Sequence, residues 1–136
     1  MKVSEVMTRD VHLIRPDQSI QEVARMMSEH DIGALPVTDS DRLIGMVTDR
    51  DIVIRCVAEG KGPRTKVGAI MSDHVMYCFD DDDTENVSQN MADLQMRRMP
   101  VVNRDKRLVG IMALADLAVS DDGAAATALE GISQPV

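Results

Sequence analysis

The sequence predicts an α/β fold: two β-α-β-β-α repeats packed with pseudo-twofold symmetry into a single compact module. Three observations predict it: the chain repeats itself once, each copy alternates strands and helices in the same order, and the composition is that of an ordinary globular protein. A shift of 64 positions brings Lys2, Val3, Met7, Val11, Val23, Met27, Pro36 and Val37 onto Lys66, Val67, Met71, Val75, Val87, Met91, Pro100 and Val101. One extra residue near Lys106 lengthens the shift to 65, after which Arg42, Leu43, Gly45 and Asp51 fall on Arg107, Leu108, Gly110 and Asp116. Two copies at so long a period indicate duplication of one supersecondary unit rather than a solenoid.

Within the first copy, Val11 to Arg15 reads as a short strand, broken by Pro16-Asp17. Ser19 and Glu22 fit a capping box, and Ile20, Val23, Ala24 and Met27 share one face of a helix running to about His30, with Gly33 as its stop. The segments ALPVT and RLIGMVT flank Asp39-Ser40-Asp41 and predict a β-hairpin; DRDIVIRCVAEG predicts a second helix stopped by Gly60 and Gly62. The second copy repeats the order, with a strand near Val75 to Phe79, a helix from Asp83 to about Gln95, strands MPVV and RLVGIM, and a helix from about Ala113. Residues 2–59 thus form one repeat, 60–66 (GKGPRTK) a linker and 67–119 the other repeat. The tail, 120–136, is expected to be partly helical or disordered, with a turn or two of helix around Ala125 to Glu130.

Composition narrows the function classes. The net charge of -8 argues against nucleic-acid binding, which is driven by Lys and Arg neutralising phosphates. Aromatic residues make up 1% of the chain, so stacking platforms for single strands are missing and the core falls to aliphatic residues and 11 Met. No stretch approaches the ~18 apolar residues that span a bilayer, and the first ten residues lack an apolar signal core. Cys56 and Cys78 have no CxxC spacing. Two reduced thiols in a cytoplasmic protein, with no membrane partner, are expected.

The segment Gly45-Met46-Val47-Thr48-Asp49-Arg50-Asp51 is a strand running into a helix N-terminus. Backbone N–H groups there favour an anion, the Thr48 hydroxyl can add a hydrogen bond, and Asp51 can accept from a ribose diol. The same Thr48 and Asp51 also fit a plain helix-capping box, and both readings stand on the residues alone.

Taken with the duplicated unit and the strand Ala34-Leu35-Pro36-Val37, this motif resembles a tandem CBS pair, or Bateman module, over residues 2 to 119. The segments EHDIGALPV and TDRDIVIR further resemble stand-alone bacterial CBS-pair proteins, including those called hypoxic response proteins. The resemblance implies a regulatory, non-enzymatic sensor that needs no cofactor and binds an adenine nucleotide in the cleft between repeats. AMP is expected first, then ATP or ADP, NAD(H) and S-adenosylmethionine. It also implies a homodimer, built as a flat disc, that signals to a regulated protein by changing conformation.

By the same resemblance, one pocket takes Thr48, Arg50 and Asp51 with Val75, Met76, Met96, Arg97 and Arg98. The pseudo-symmetric pocket takes Asp116 and Arg98 with Val11, His12, Ile32, Gly33 and Ala34. In this second pocket Ala113 and Ala115 stand where the first has Thr48 and Arg50, which removes a hydroxyl and a cation that Arg98 would have to replace. An interaction scaffold with vestigial pockets is the alternative.

The remaining constellations read as structural. Asp80-Asp81-Asp82-Asp83 lacks EF-hand spacing and reads as a solvated turn ending in a helix cap at Asp83. His12, His30 and His74 lie on separate elements without ligand spacing and read as surface or pocket-rim residues, with no metal site. Met26, Met27, Met91, Met96 and Met99 read mostly as core filler. No nucleophile with a neighbouring base, Walker loop, HExxH or GxSxG motif is legible.

Overall fold

The computed structural model describes residues 1–120 and 129–133. They divide into two compact units that cut across the sequence repeats: His12–Val75 form one, and Met1–Val11 with Met76–Val136 form the other.

In the His12–Val75 unit, helix α2 (Ile20–His30) is capped by Ser19, whose hydroxyl accepts from the Glu22 N–H. Ile20, Val23 and Met27 bury its inner face, as their spacing predicts. The helix ends at His30, as its pattern predicts, and it is Asp31 rather than Gly33 that closes it in the left-handed conformation, at φ 51. Strands β1 (Ala34–Asp39) and β2 (Arg42–Thr48) form the expected antiparallel hairpin. Its two loop residues, Ser40 and Asp41, both have positive φ, the signature of a type I′ turn whose twist matches the strands. The strand expected over Val11 to Arg15 contracts to one parallel bridge, Ile14 to Val37, because Pro16 and the turn after it end the pairing.

Beyond β2 the chain turns into helix α3 (Asp49–Asp51), which continues as a π-helix over Ile52–Val57. Ala58 donates to the Val53 carbonyl at 2.8 Å, five residues back. The wider winding holds Ile52 and Cys56 on the core and leaves Val53, Ile54 and Val57 in solvent. The predicted linker is hydrogen-bonded rather than free: the Pro63 and Thr65 carbonyls accept from Gln21 N–H and Ile20 N–H, two donors that the first turn of α2 cannot satisfy itself. A 3-10 turn over Val67–Ala69 follows, with Val67 and Ile70 in the same core.

The other unit reproduces this arrangement. Helix α1 (Val3–Val6) packs against the second repeat, with Val3 N–H donating to the Asp82 carbonyl and Thr84 N–H donating to the Met1 carbonyl. Strand β3 (Cys78–Phe79) pairs in parallel with β4 (Arg98–Val102), which pairs antiparallel with β5 (Leu108–Ala113). Helix α4 (Thr84–Leu94) lies between β3 and β4 in the chain, capped by Asp83 and closed by Gln95 at φ 55. Helix α5 (Leu114–Ser120) follows β5. The extra residue of this repeat sits in the β4–β5 loop, where Asn103 Oδ1 accepts from the Asp105 and Arg107 N–H groups and Lys106 takes φ 62. Val3, Met7, Val87, Met91, Met99, Val101, Met112 and Leu117 form the core. Both cysteines are buried and neither is in a disulfide.

The acidic run is spent on local structure, as its spacing suggests. Asp82 accepts from the Phe79 N–H at 2.9 Å, Asp83 caps α4, and Asp81 takes a two-point ion pair from Arg104, whose guanidinium also lies over the Phe79 ring. Of the expected tail helix, residues 129–132 are helical; residues 121–128 and 134–136 lie outside those described. Gly131 lies so close to α4 that a Cβ on it would fall 2.2 Å from that of Ala92.

Candidate functional site

The motif at the end of β2 closes on itself. Asp51 N–H donates to Thr48 Oγ1 at 3.0 Å, and Thr48 N–H donates to Asp51 Oδ2 at 2.9 Å, a reciprocal capping box. The capping reading is therefore realised in full. It does not exhaust these side chains: Thr48 uses its oxygen as acceptor and keeps its O–H to donate, while Asp51 Oδ1 faces Arg55 Nε at 3.8 Å and can accept further. Arg50 and Asp49 are exposed beside them.

The glycine of the motif has a steric cause. A Cβ on Gly45 would lie 2.6 Å from Met71 Sδ and 2.9 Å from the Ser72 carbonyl oxygen. Met46 and Ser72 exchange backbone hydrogen bonds there, so the segment after the linker runs along β2 and leaves no room for a side chain.

Gly33 and Ala34 lie against the same helix mouth. Ala34 pairs with Thr48, and Asp49 N–H donates to the Gly33 carbonyl at 2.9 Å. Thr48, Arg50, Asp51, Val75, His12, Ile32, Gly33 and Ala34 all belong to the His12–Val75 unit. Val11, Met76, Met96, Arg97, Arg98 and Asp116 belong to the other.

In that second unit Ala113 N–H donates to Asp116 Oδ2 at 2.9 Å, so half of the capping box survives the loss of the hydroxyl. A different hydroxyl reaches the carboxylate: Thr8 Oγ1 donates to Asp116 Oδ1 at 3.1 Å and lies 3.3 Å from Oδ2. Thr8 stands 108 positions before Asp116, and no sequence pattern links the two. Arg98 is paired with Ala113 across β4 and β5, and the Arg97 carbonyl accepts from Leu114 N–H. Exposed cations therefore flank this helix mouth from the strand side, where the first repeat has Gly33 and Ala34. Gly110 repeats the steric role of Gly45: a Cβ there would lie 2.7 Å from Met7 Sδ and 2.8 Å from the Thr8 carbonyl oxygen.

His12 and His30, read from the sequence as scattered, are brought together with their rings stacked; His74 stands apart, beside Asp73. Among the described residues no cluster of three or more His, Cys, Asp or Glu is arranged to hold a metal ion, and no helix is long and apolar enough to cross a membrane.

The CBS domain family matches residues 3–57 and 67–121. The chain belongs to the CBS domain family. It is 42% identical over 133 residues to the CBS domain-containing protein YhcV of Bacillus subtilis, covering 96% of this chain and 94% of that one. Hypoxic response protein 1 of Mycobacterium tuberculosis is 40% identical over 116 residues, covering 84% and 80%.

Among solved structures, Hypoxic Response Protein I with two coordinated zinc ions superposes with a TM-score of 0.78 at 37% identity, covering 88% of this chain and 98% of that one. The cytosolic domain of the Mg2+ channel MgtE in complex with ATP gives 0.75 at 30%, covering 88% and 48%. The CBS domain pair of protein MJ0100, in complex with 5'-methylthioadenosine and S-adenosyl-L-methionine, gives 0.74 at 25%, covering 90% and 97%. The duplicated fold expected from the sequence is the fold of these CBS pairs.

Proposed function

We propose that this CBS pair is a regulatory module that binds an adenine nucleotide or adenosyl compound and has no catalytic role of its own. The observation that carries the reading is the Thr48–Asp51 mouth: its capping box leaves a hydroxyl donor and a carboxylate acceptor available, with Arg50 beside them. The hydroxyl and Arg50 suit phosphate oxygens, and Asp51 suits a ribose diol. ATP in the MgtE structure and the adenosyl ligands of the MJ0100 structure support the ligand class. AMP, ADP and NAD(H) enter the same test.

On the His12–Val75 unit, Gly33 and Ala34 adjoin this mouth and Val75 is a further candidate ligand residue; on the other unit, Met76 and Met96 to Arg98 are candidate ligand residues. At the mouth of α5, Asp116 and Arg98 are candidates for a site of different preference, because Ala113 and Ala115 leave its phosphate side to Arg98; Val11 on the same unit, and His12 and Ile32 to Ala34 on the His12–Val75 unit, are the remaining candidates. The protein acts in the cytoplasm as a homodimer, for which the exposed Val53, Ile54 and Val57 supply an apolar face. Ligand shifts conformation by binding two states unequally, and a partner protein reads the shift.

Calorimetric titration of ligand-stripped protein with AMP, ADP, ATP, NADH and S-adenosylmethionine tests the reading. Saturable binding of at least one, weakened ten-fold or more in Asp51→Ala, is expected. A well-folded protein that binds none of them is a scaffold with vestigial pockets.

A further inference from the structure

Helix α3 runs without a break into the π-helix, so the acceptor Asp51 and the exposed Val53, Ile54 and Val57 share one continuous segment. One side chain of that segment reaches back to the mouth. Arg55 Nε lies 3.8 Å from Asp51 Oδ1, and Arg55 Nη1 donates to the Ile70 carbonyl at 3.3 Å, so a single guanidinium joins the carboxylate to the chain beyond residues 60–66. Ala58 N–H to the Val53 carbonyl at 2.8 Å and Lys61 N–H to the Cys56 carbonyl at 2.9 Å, both spanning five residues, hold the wide winding around Arg55. The second repeat has neither feature: Ser120 stands at the position of Arg55, and α5 is wound as an α-helix.

We propose that Arg55 is a positioning residue that relays occupation of Asp51 to the π-helix. The relay rests on Asp51 being the ribose acceptor proposed above. Hydroxyl donors arriving on Asp51 compete with the guanidinium for Oδ1 and release Arg55 toward Ile70. Arg55 sits in the middle of the wide turn, so its movement redistributes the hydrogen bonds that span five residues. A change of one residue in winding register turns the side chains beyond it by about 100°. Occupation of the mouth thereby reaches an exposed apolar surface, and all the groups involved lie in the His12–Val75 unit. The ion pair itself is long and Arg55 is half-exposed, so Arg55→Met should change ligand affinity by no more than about five-fold.

Amide 1H–15N maps and hydrogen exchange of the ligand-stripped full chain, with saturating ATP or S-adenosylmethionine, test the relay. In the wild type, shifts at Thr48–Asp51 should be accompanied by shifts at Ile52–Val57 and by altered exchange at Ala58 and Lys61. Arg55→Met, which keeps the aliphatic stem, should retain the response at Thr48–Asp51 and lose it at Ile52–Val57, Ala58 and Lys61; Arg55→Lys, which keeps a cation, should recover part of it. A π-helix response undiminished in Arg55→Met, or absent from the wild type while the mouth responds, overturns the relay and leaves the nucleotide reading standing. No response at either place in the folded wild type overturns both.

Discussion

Gly45 and Gly110 show how a single missing side chain fixes each half of the molecule. At both, the Cβ of alanine would meet a methionine sulfur, which can move, and a backbone carbonyl, which cannot move without disturbing a pair of hydrogen bonds. Gly45→Ala and Gly110→Ala should each lower unfolding free energy by about 1–3 kcal/mol in urea titrations. Gly62→Ala, with no heavy atom within 4 Å of its Cβ, should fall within ~0.5 kcal/mol of wild type. Burial pushes the Cys78 thiol from 9.0 to about 12, with the Asp82 and Asp80 carboxylates adding to the effect. Above pH 9 the unfolded chain releases this proton while the folded chain keeps it, so the folded state loses stability as pH rises from 9 toward 12. Chemical denaturation across that range should show the decline, and Cys78→Ala should flatten it. Thr48, Asp51 and Asp83 were legible because a cap is a contact between residues three positions apart or fewer. The Thr8 hydroxyl on Asp116 was not, because no local rule relates positions so distant.

At the scale of elements, hairpins and amphipathic helices followed their sequence patterns because turn chemistry and apolar spacing are local. The strands expected over 11–15 and 75–79 shrank to one bridge and to Cys78–Phe79, since strand length depends on the partner available and not on the run itself. The π winding of Ile52–Val57 was likewise unreadable: an apolar run gives no sign of which residues a wider turn will expose. Here it leaves Val53 58%, Ile54 43% and Val57 66% exposed on one short segment. Val53→Glu/Val57→Glu should convert the proposed dimer to monomer in sedimentation velocity, with an unchanged circular dichroism spectrum. The cap that starts this segment also carries stability, and Thr48→Ala should cost about 1 kcal/mol on thermal unfolding.

For the whole molecule, the repeat in the sequence and the unit in space differ by an exchange of segments. Residues 1–11 complete the half that contains the second repeat, with Val3 and Met7 in its core, while residues 60–75 complete the half that contains the first. A period shows that two segments are alike but not which half each one joins. Deleting residues 1–11 should therefore raise hydrogen exchange chiefly in 76–117 and less in 12–75, read by mass spectrometry. The helix mouth at the end of β2 can be probed by an amide chemical-shift map of the ligand-stripped protein titrated with ATP and S-adenosylmethionine. Saturable shifts clustered at Gly33–Ala34 and Thr48–Asp51 are expected for at least one of them, lost in Asp51→Ala. A folded protein whose amides at these positions stay unmoved while ligand is in large excess would rule this mouth out as the nucleotide site.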